Sequence, residues 1–361
     1  MSLRSQKRIL VAPLNWGLGH AVRIIPVIHI LLEKGFYVVI AATGDSRKLL
    51  MEEFPNLDFI DFPSYKIKYS IRNSQCLKIL FQIPTILYWT VREHIALKGI
   101  IRKYFIQIVL SDHRYGMWSR HTYNIFFIHQ LNMQFPGGVN LFAGLLNKLQ
   151  RIVIKKYDEC WIPDYEFPDN LAGKLTWRPA SLLNLKYIGP LSRFEDLNIV
   201  PSPDDQYDIL VVLSGPEPQR TALEKKLEEE LGGFRQRILF VRGVMGTQSI
   251  YSRGHLRYVD FLTTQNLKKY IQSAGVIICR SGYTSIMDLF VLKKRAIIIP
   301  TPGQPEQEYL AEHLSKKGYF VKTQQGSLDL KNAFNVLPDC QLPAPGAKQD
   351  LNEIIDDLST M

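Results

Sequence analysis

Cysteine is scarce: only Cys76, Cys160, Cys279 and Cys340 occur in 361 residues, with no Cys-x-x-Cys pair and no histidine at zinc-ligand spacing. A disulfide framework and a structural zinc are therefore not expected, and a reducing cytoplasm is the default setting. Long apolar runs are missing too. None approaches the ~20 residues that a membrane-spanning helix requires. The basic start Met1–Arg8 leads into an apolar stretch, Ile9–Pro13, too short for a signal-peptide core, so no secretion signal is expected. Short-period repeats and low-complexity tracts are lacking. So are nucleic-acid-binding motifs, and no pair of carboxylates marks a strand end as a metal site.

What is there is globular. Hydrophobic residues make up 46% and charged residues 22%, which is not the composition of a disordered chain. The length suits two domains of ~150 residues each. A formal net charge of +10 favours anionic partners: nucleic acid, acidic lipid or phosphorylated ligands. Without a motif to accompany the charge, no nucleic-acid partner is expected.

The apolar periodicity predicts α/β structure in both halves. The run RILVAP at 8–13 reads as a strand, NWGLGH as a Gly-containing turn, 24–33 as a helix and FYVVIAAT as the next strand. Further buried strands are expected at 57–62, 106–111, 125–129 and 159–163. A Pro-, Ser- and Asp-rich stretch then interrupts the pattern. After it ILVVLS, ILFVRG, 256–261, GVIICR and AIIIP read as strands, with helices at 221–231 and 267–273. The expected organisation is an N-terminal Rossmann-like domain at 1–190, a linker at 191–207, a second Rossmann-like domain at 208–345 and a C-terminal helix at 346–361.

The most informative stretch runs from Val276 to Leu314. Gly282 lets backbone approach a ligand closely, and Ser281 reads as a helix N-cap. The free amides at such a helix start, on the carboxyl edge of a parallel strand, suit a diphosphate. Asp288 lies one turn beyond Ser285 and can accept hydrogen bonds from a ribose diol. Glu306 and Gln307 open the next helix and can bond sugar hydroxyls. Any one of these residues is equally at home in a capped helix or a polar loop. Their order, phosphate then ribose then hexose, is the signal.

The N-terminal loop Asn15-Trp16-Gly17-Leu18-Gly19-His20 forms the second constellation. Gly17 and Gly19 allow a tight turn, and Ala21-Val22 supplies no third glycine for a dinucleotide fingerprint. His20 can act as a general base or phosphate contact, or make a structural hydrogen bond. Arg23 follows one turn on. Asp112-His113-Arg114 closes another strand, where Asp112 can orient His20, act as base itself, or merely cap a turn. Arg114 can meet an acidic acceptor, and His129 at the end of FFIHQLN can line the same pocket.

These residues resemble the GT-B glycosyltransferases, most closely glycosyltransferase family 28, the family of the peptidoglycan lipid II-forming N-acetylglucosaminyltransferase. There an Arg-Ser-Gly turn meets the diphosphate and an acidic residue six positions after the glycine binds ribose. Arg280-Ser281-Gly282 and Asp288 occupy those places, with Asp where the family has Glu. Glu306-Gln307 matches the form of the family's sugar-contacting pair, with Gln307-Glu308 an alternative register. Val259-Asp260-Phe261-Leu262 resembles the loop holding the base, Phe261 lying against uracil. Ser214 and Gly215 stand where the family has a Gly-Gly-Ser type loop, although Pro216 and Pro218 remove amide donors. Gly19-His20 and Pro26 fit the family's N-terminal Gly-rich loop.

The resemblance implies a GT-B fold, two Rossmann-like domains facing a central cleft. It implies inverting, metal-independent hexosyl transfer from a nucleotide-diphosphate donor, a UDP-sugar, to a hydroxyl of a lipid-linked or cell-envelope glycan. His20 and Asp112 would be catalytic. Gly17, Gly19, Ser214, Gly215, Phe261, Leu262, Arg280, Ser281, Gly282, Ser285, Asp288, Glu306 and Gln307 would bind the donor. Arg23, His113, Arg114 and His129 would bind the acceptor. No metal and no cofactor beyond the donor co-substrate is implied. The stretch 77–105, with Phe135-Pro136-Gly137-Gly138 and Leu141-Phe142, mixes bulky apolar and basic residues. It suits either a packed amphipathic helix or docking of a cytoplasmic protein on the inner face of an anionic membrane. A UDP-sugar epimerase of the same architecture and a non-catalytic sugar-nucleotide-binding subunit remain alternatives.

Overall fold

The computed structural model describes residues 6–62, 75–134, 140–182, 184–195, 199–200, 202, 206–244 and 249–361, with backbone alone at 75–82 and 140–142. Of the stretches singled out above, 135–138, the side chains of 77–82, Leu141 and Phe142, and parts of 191–207 lie outside the described residues. The chain forms two compact units. The first takes the residues up to Phe62, Cys76–Leu191 and Pro345–Met361; the second takes Ser192–Ala344.

In the first unit the strands are β1 (Arg8–Pro13), β2 (Tyr37–Ala42), β3 (Asp58–Asp61), β4 (Ile108–Asp112), β5 (Tyr123–Phe127), β6 (Glu159–Ile162) and β7 (Leu185–Tyr187). Among the described residues they make one parallel sheet in the order β3-β2-β1-β4-β5-β6-β7. Helices α1 (Leu18–Glu33), α2 (Gly44–Glu53), α3 (Gln75–Tyr104) and α4 (Asn140–Ile154) connect them. Ile9, Leu10, Val11 and Ala12 are fully buried, as the near-continuous apolar run of a strand covered on both faces demands. Gly17, with φ of 86°, makes the turn from β1 into α1 in a conformation that a side chain would oppose.

The register aligns Pro13 with Asp112 and Asp112 with Phe127, so three strand ends lie abreast. From β1 the chain moves outward to β2, and later returns to β4 on the other side. That reversal opens a crevice at the carboxyl edge between β1 and β4.

The second unit repeats the plan with β8 (Ile209–Val212), β9 (Ile238–Val241), β10 (Ile250–Arg253), β11 (Leu256–Val259), β12 (Val276–Arg280), β13 (Ala296–Ile299) and β14 (Val321–Lys322). Their order is β10-β11-β9-β8-β12-β13-β14, parallel except for the β10–β11 hairpin, and the reversal falls between β8 and β12. The helices are α5 (Gln219–Leu231), α6 (Thr264–Ser273), α7 (Tyr283–Val291), α8 (Pro305–Lys316) and α9 (Leu330–Val336). The α6 helix begins earlier than the apolar spacing predicts, because Thr263 caps it by accepting from the Asn266 amide.

Strands β7, β10 and β14 escape the sequence pattern. The first and last have three and two residues, and β10 adds an exposed antiparallel ribbon. Finally α10 (Leu351–Thr360) packs on α1 of the first unit, burying Leu351, Ile354, Ile355 and Leu358.

Candidate functional site

The expected site residues gather at the carboxyl edge of each sheet, one set in each unit. In the first unit, His20 is the third residue of α1 and 9% exposed. Its Nδ1 lies 3.0 Å from Asp112 Oδ2. Arg23, one turn further along α1, donates from Nε to the same oxygen at 3.0 Å and from Nη2 to Asp112 Oδ1. Its Nη2 is also 2.7 Å from His20 Nδ1, and its Nη1 bonds His129 Nδ1. The Arg23 guanidinium lies 5.4 Å from the centre of the Phe127 ring. His113, held at a left-handed φ of 56°, stacks on His129 at 4.8 Å and tilts against His20 at 5.3 Å.

The electrostatics follow from burial and charge. Burial alone would raise the Asp112 carboxyl, but the Arg23 guanidinium and His20 beside it hold it well below the usual carboxylate range. Burial drives His113 and His129 far below the ordinary histidine range, and the neighbouring cation adds to this. Both rings are therefore neutral at pH 7. His129 Nδ1 is then the acceptor for Arg23.

Two arginines depart from their expected role as acceptor contacts. Arg23 is 3% exposed, and its guanidinium is directed at Asp112, His20 and His129. Arg114 is 1% exposed; its Nε donates to Glu93 Oε1 at 3.0 Å and its guanidinium lies over Phe62. A buried cation is held by the carboxylate that neutralises it. Both side chains thus organise the edge from within.

In the second unit β8 leads to Ser214 and exposed Gly215, at φ of 100°, before a cis Glu217–Pro218 bond. The end of β11 presents Asp260, buried, and Phe261 and Leu262, partly exposed. The end of β12 leads through Ser281 to α7. Ser281 is not the N-cap: Gly282 occupies that position, and Ser281 Oγ donates to the Gln307 carbonyl at 2.9 Å. Arg280 also turns inward. It is fully buried and donates to the carbonyls of Pro300 (3.1 Å), Ile299 (3.4 Å) and Gln219 (2.9 Å). It clamps three chain segments and does not extend its charge toward a ligand.

Ser285 and Asp288 share a face of α7, and Asp288 Oδ1 accepts from Ser192 Oγ at 2.6 Å. Burial pushes the Asp288 carboxyl up to about 6, against the opposing pull of Arg193 and Ser192. Gln307 Oε1 accepts from the Thr301 amide at 2.8 Å, and Glu308 Oε1 from the Gly303 amide at 2.7 Å. Glu306 stands beside them in the first turn of α8.

Sequence reasoning misses what holds this edge together. Ser192 meets Asp288 across 96 positions. Arg242 donates to Glu224 at 2.7 Å and to Asp260 at 2.6 Å, while Arg220 bonds Glu224 and Glu217. That chain of charges ties together the loops after β8, β9 and β11. No local signal reveals such partners. Among the described residues, no cluster of three or more His, Cys, Asp or Glu could hold a metal ion, and no helix is long and apolar enough to cross a membrane.

Residues 220–353 match the glycosyltransferase family 28 C-terminal domain. The chain is 23% identical over 307 residues to an uncharacterized glycosyltransferase of Methanopyrus kandleri, covering 80% of this chain and 83% of that one. Its fold is similar to MurG of Acinetobacter baumannii, with a TM-score of 0.53, 14% identity and coverage of 98% and 100%. It is also similar to the spinosyn rhamnosyltransferase SpnG complexed with thymidine diphosphate, with a TM-score of 0.63, 10% identity and coverage of 97% and 99%. The fold is GT-B, built of two Rossmann-like domains. The chain resembles glycosyltransferase family 28, and it is a glycosyltransferase of that GT-B type.

Proposed function

We propose that the chain transfers a sugar from a UDP-sugar to an acceptor hydroxyl with inversion, the second unit binding the donor and the first the acceptor. The observation that carries this reading is the His20–Asp112 contact at the crevice of the first sheet. In the tautomer that donates Nδ1–H to Asp112, with Arg23 Nη2 donating to Asp112 Oδ1 and not to the ring, Nε2 carries the lone pair that acts as a base. The acceptor hydroxyl gives its proton to Nε2 while its oxygen attacks the anomeric carbon. The bond from that carbon to the diphosphate breaks, and the negative charge passes to the leaving phosphate. Main-chain amides of the Ser214–Gly215 loop and of the α7 start at Gly282 take up that charge, so no metal is required. Asp288 accepts from the ribose diol, Phe261 lies against the base, and Glu306 and Gln307 meet the sugar.

Exposed apolar side chains support a membrane-bound acceptor. Leu87, Val91 and Ile95 form one stripe on α3, and Leu145, Leu149 and Ile152 another on α4. Arg92, Lys148, Arg151 and Lys155 accompany them. Such faces dock peripherally on anionic lipid, consistent with a lipid-linked glycan acceptor at the inner face of a membrane. Sedimentation with anionic but not zwitterionic vesicles is the expected result.

Calorimetry with UDP, GDP and TDP on the wild type and Asp288→Ala tests the donor site. Selective UDP binding that the substitution abolishes is expected. Absence of all nucleotide binding from folded protein refutes the reading. Conversion of a UDP-sugar into its epimer without acceptor would replace transfer by epimerisation.

A further inference from the structure

The first unit carries a second polar cavity, separate from the histidines but on the same carboxyl edge. It has a volume of about 280 Å³ and is lined by Asn132, Gln134, Asn147, Lys174, Trp177 and Arg178. The loop after β5 supplies Asn132 and Gln134, three and five residues beyond His129. The loop after β6 supplies Lys174, Trp177 and Arg178. We propose that this cavity is an acceptor subsite that binds an anionic sugar ring. The proposal rests on the transferase reading above and deepens it by assigning the acceptor's chemical class.

Three properties point to such a ligand. First, the walls are built rigidly. Asn132 Nδ2 donates to the carbonyls of Lys174 at 3.0 Å and Trp177 at 2.8 Å, while its Oδ1 accepts from Arg151 at 3.0 Å. The Asn132 amide adds a bond to the Leu175 carbonyl at 3.1 Å. Asp164, wholly buried, accepts from the amides of Leu171 and Ala172 and from Thr176 Oγ1 at 2.8–3.0 Å. A loop of this length with one short turn of helix is uncommon unless it serves a site, and this one is clamped at both ends of its curve.

Second, the lining has the chemistry of carbohydrate recognition. The Trp177 indole is 45% exposed and is braced edge-on by Phe167 at 5.6 Å. A rigid aromatic surface suits the C–H face of a pyranose. Asn147 Oδ1 accepts from the Met133 backbone amide at 2.8 Å, which leaves the side-chain NH2 to donate to hydroxyls. Lys174 and Arg178 add positive charge. The Arg178–Glu166 contact, at 3.9 Å between two half-exposed side chains, is weak and can exchange for a ligand anion. Guanidinium and ammonium groups form charge-assisted bonds with carboxylate or phosphate alike.

Third, the position fits. In the sheet order β1-β4-β5-β6, β6 stands three spacings from the strand that leads to His20. At about 4.8 Å per spacing that is roughly 14 Å. An acceptor of a few saccharide units lying along this edge would thus extend from His20 toward the loop that follows β6. The cavity is at the small end of ligand sites, sized for one ring.

The test uses the full chain with three probes: a neutral disaccharide, the same disaccharide ending in a uronic acid, and its phosphorylated form. Binding is followed by saturation-transfer NMR and tryptophan fluorescence for wild type, Trp177→Ala and Lys174→Gln/Arg178→Gln. One or both anionic probes should bind at least about tenfold more tightly than the neutral one. Each variant should lose about tenfold, with circular dichroism and UDP affinity unchanged. The stronger anionic arm tells carboxylate from phosphate. Equal binding of charged and neutral probes, or variants that bind as the wild type does, overturns the subsite. A subsite that fails while UDP still binds leaves the transferase reading intact, and loss of UDP binding in the wild type overturns that reading instead.

Discussion

Replacing Asp112 by Asn keeps its shape and removes its charge. Arg23, 3% exposed, then faces the site without its counter-ion. Two unit charges about 4 Å apart interact by ~4 kcal/mol at an effective dielectric of 20, and removing one partner of a buried pair typically costs about 3–5 kcal/mol. Asp112→Asn should lower stability by that amount, and Arg23→Met by a similar amount. The double variant should lose about 1–3 kcal/mol less than the two costs combined, because neither charge is left orphaned. The sequence supplies a convenient reporter. All five tryptophans, Trp16, Trp89, Trp118, Trp161 and Trp177, lie in the first unit, so urea unfolding read by tryptophan fluorescence follows that unit alone. The sign with pH follows from the depressed Asp112 carboxyl. Its contribution is complete above the unfolded value of about 3.9 and is lost as acid protonates it. The gap between wild type and Asp112→Asn should therefore be constant from about pH 5 to 7 and close below about pH 4. Additive costs to within about 0.5 kcal/mol would refute the paired-charge account.

Four further outcomes follow from the geometry. The Asp288 carboxyl, raised to about 6, accepts from a ribose diol more strongly when ionised, so UDP affinity should fall as pH drops below that value; calorimetry on Asp288→Asn should show a shallower profile, carrying only the titration of the UDP phosphate itself. The same raised value means that the native state holds this proton more tightly than the unfolded chain. Its ionisation therefore costs stability as pH rises from about 4 to 6. Arg280→Lys preserves charge but cannot reach three carbonyls. It should cost about 1–3 kcal/mol and weaken UDP binding, whereas unchanged stability and affinity would refute the clamping role. Ending the chain after Ala344 removes the four apolar contacts of α10 and should destabilise the first unit by on the order of 5 kcal/mol in the same fluorescence assay.

Much of the fold was legible because buried parallel strands write themselves as apolar runs, and Gly17 and Gly282 mark where strands give way to helices. His20 was legible as a residue at the start of the first helix, and Asp112 and His129 as residues at strand ends. Their mutual contacts needed the register that sets Pro13, Asp112 and Phe127 abreast. Arginines were the weak point. A cation beside a strand end looks ligand-facing in one dimension, yet Arg23, Arg114 and Arg280 all turn inward toward carboxylates or carbonyls from distant segments. Pairs such as Ser192 with Asp288 leave no trace in spacing, because tertiary packing alone brings them together.

The return of the last helix to the first unit has a consequence for how the chain is made. A ribosome releases Arg8 early, and the seven strands of the first sheet are complete by Tyr187. Part of the cover of α1 nevertheless waits for Leu351, Ile354, Ile355 and Leu358, which are synthesised after the whole second unit. The first unit is thus begun before the second and finished after it. A nascent chain paused anywhere between the two lacks the share of α1's cover that α10 supplies.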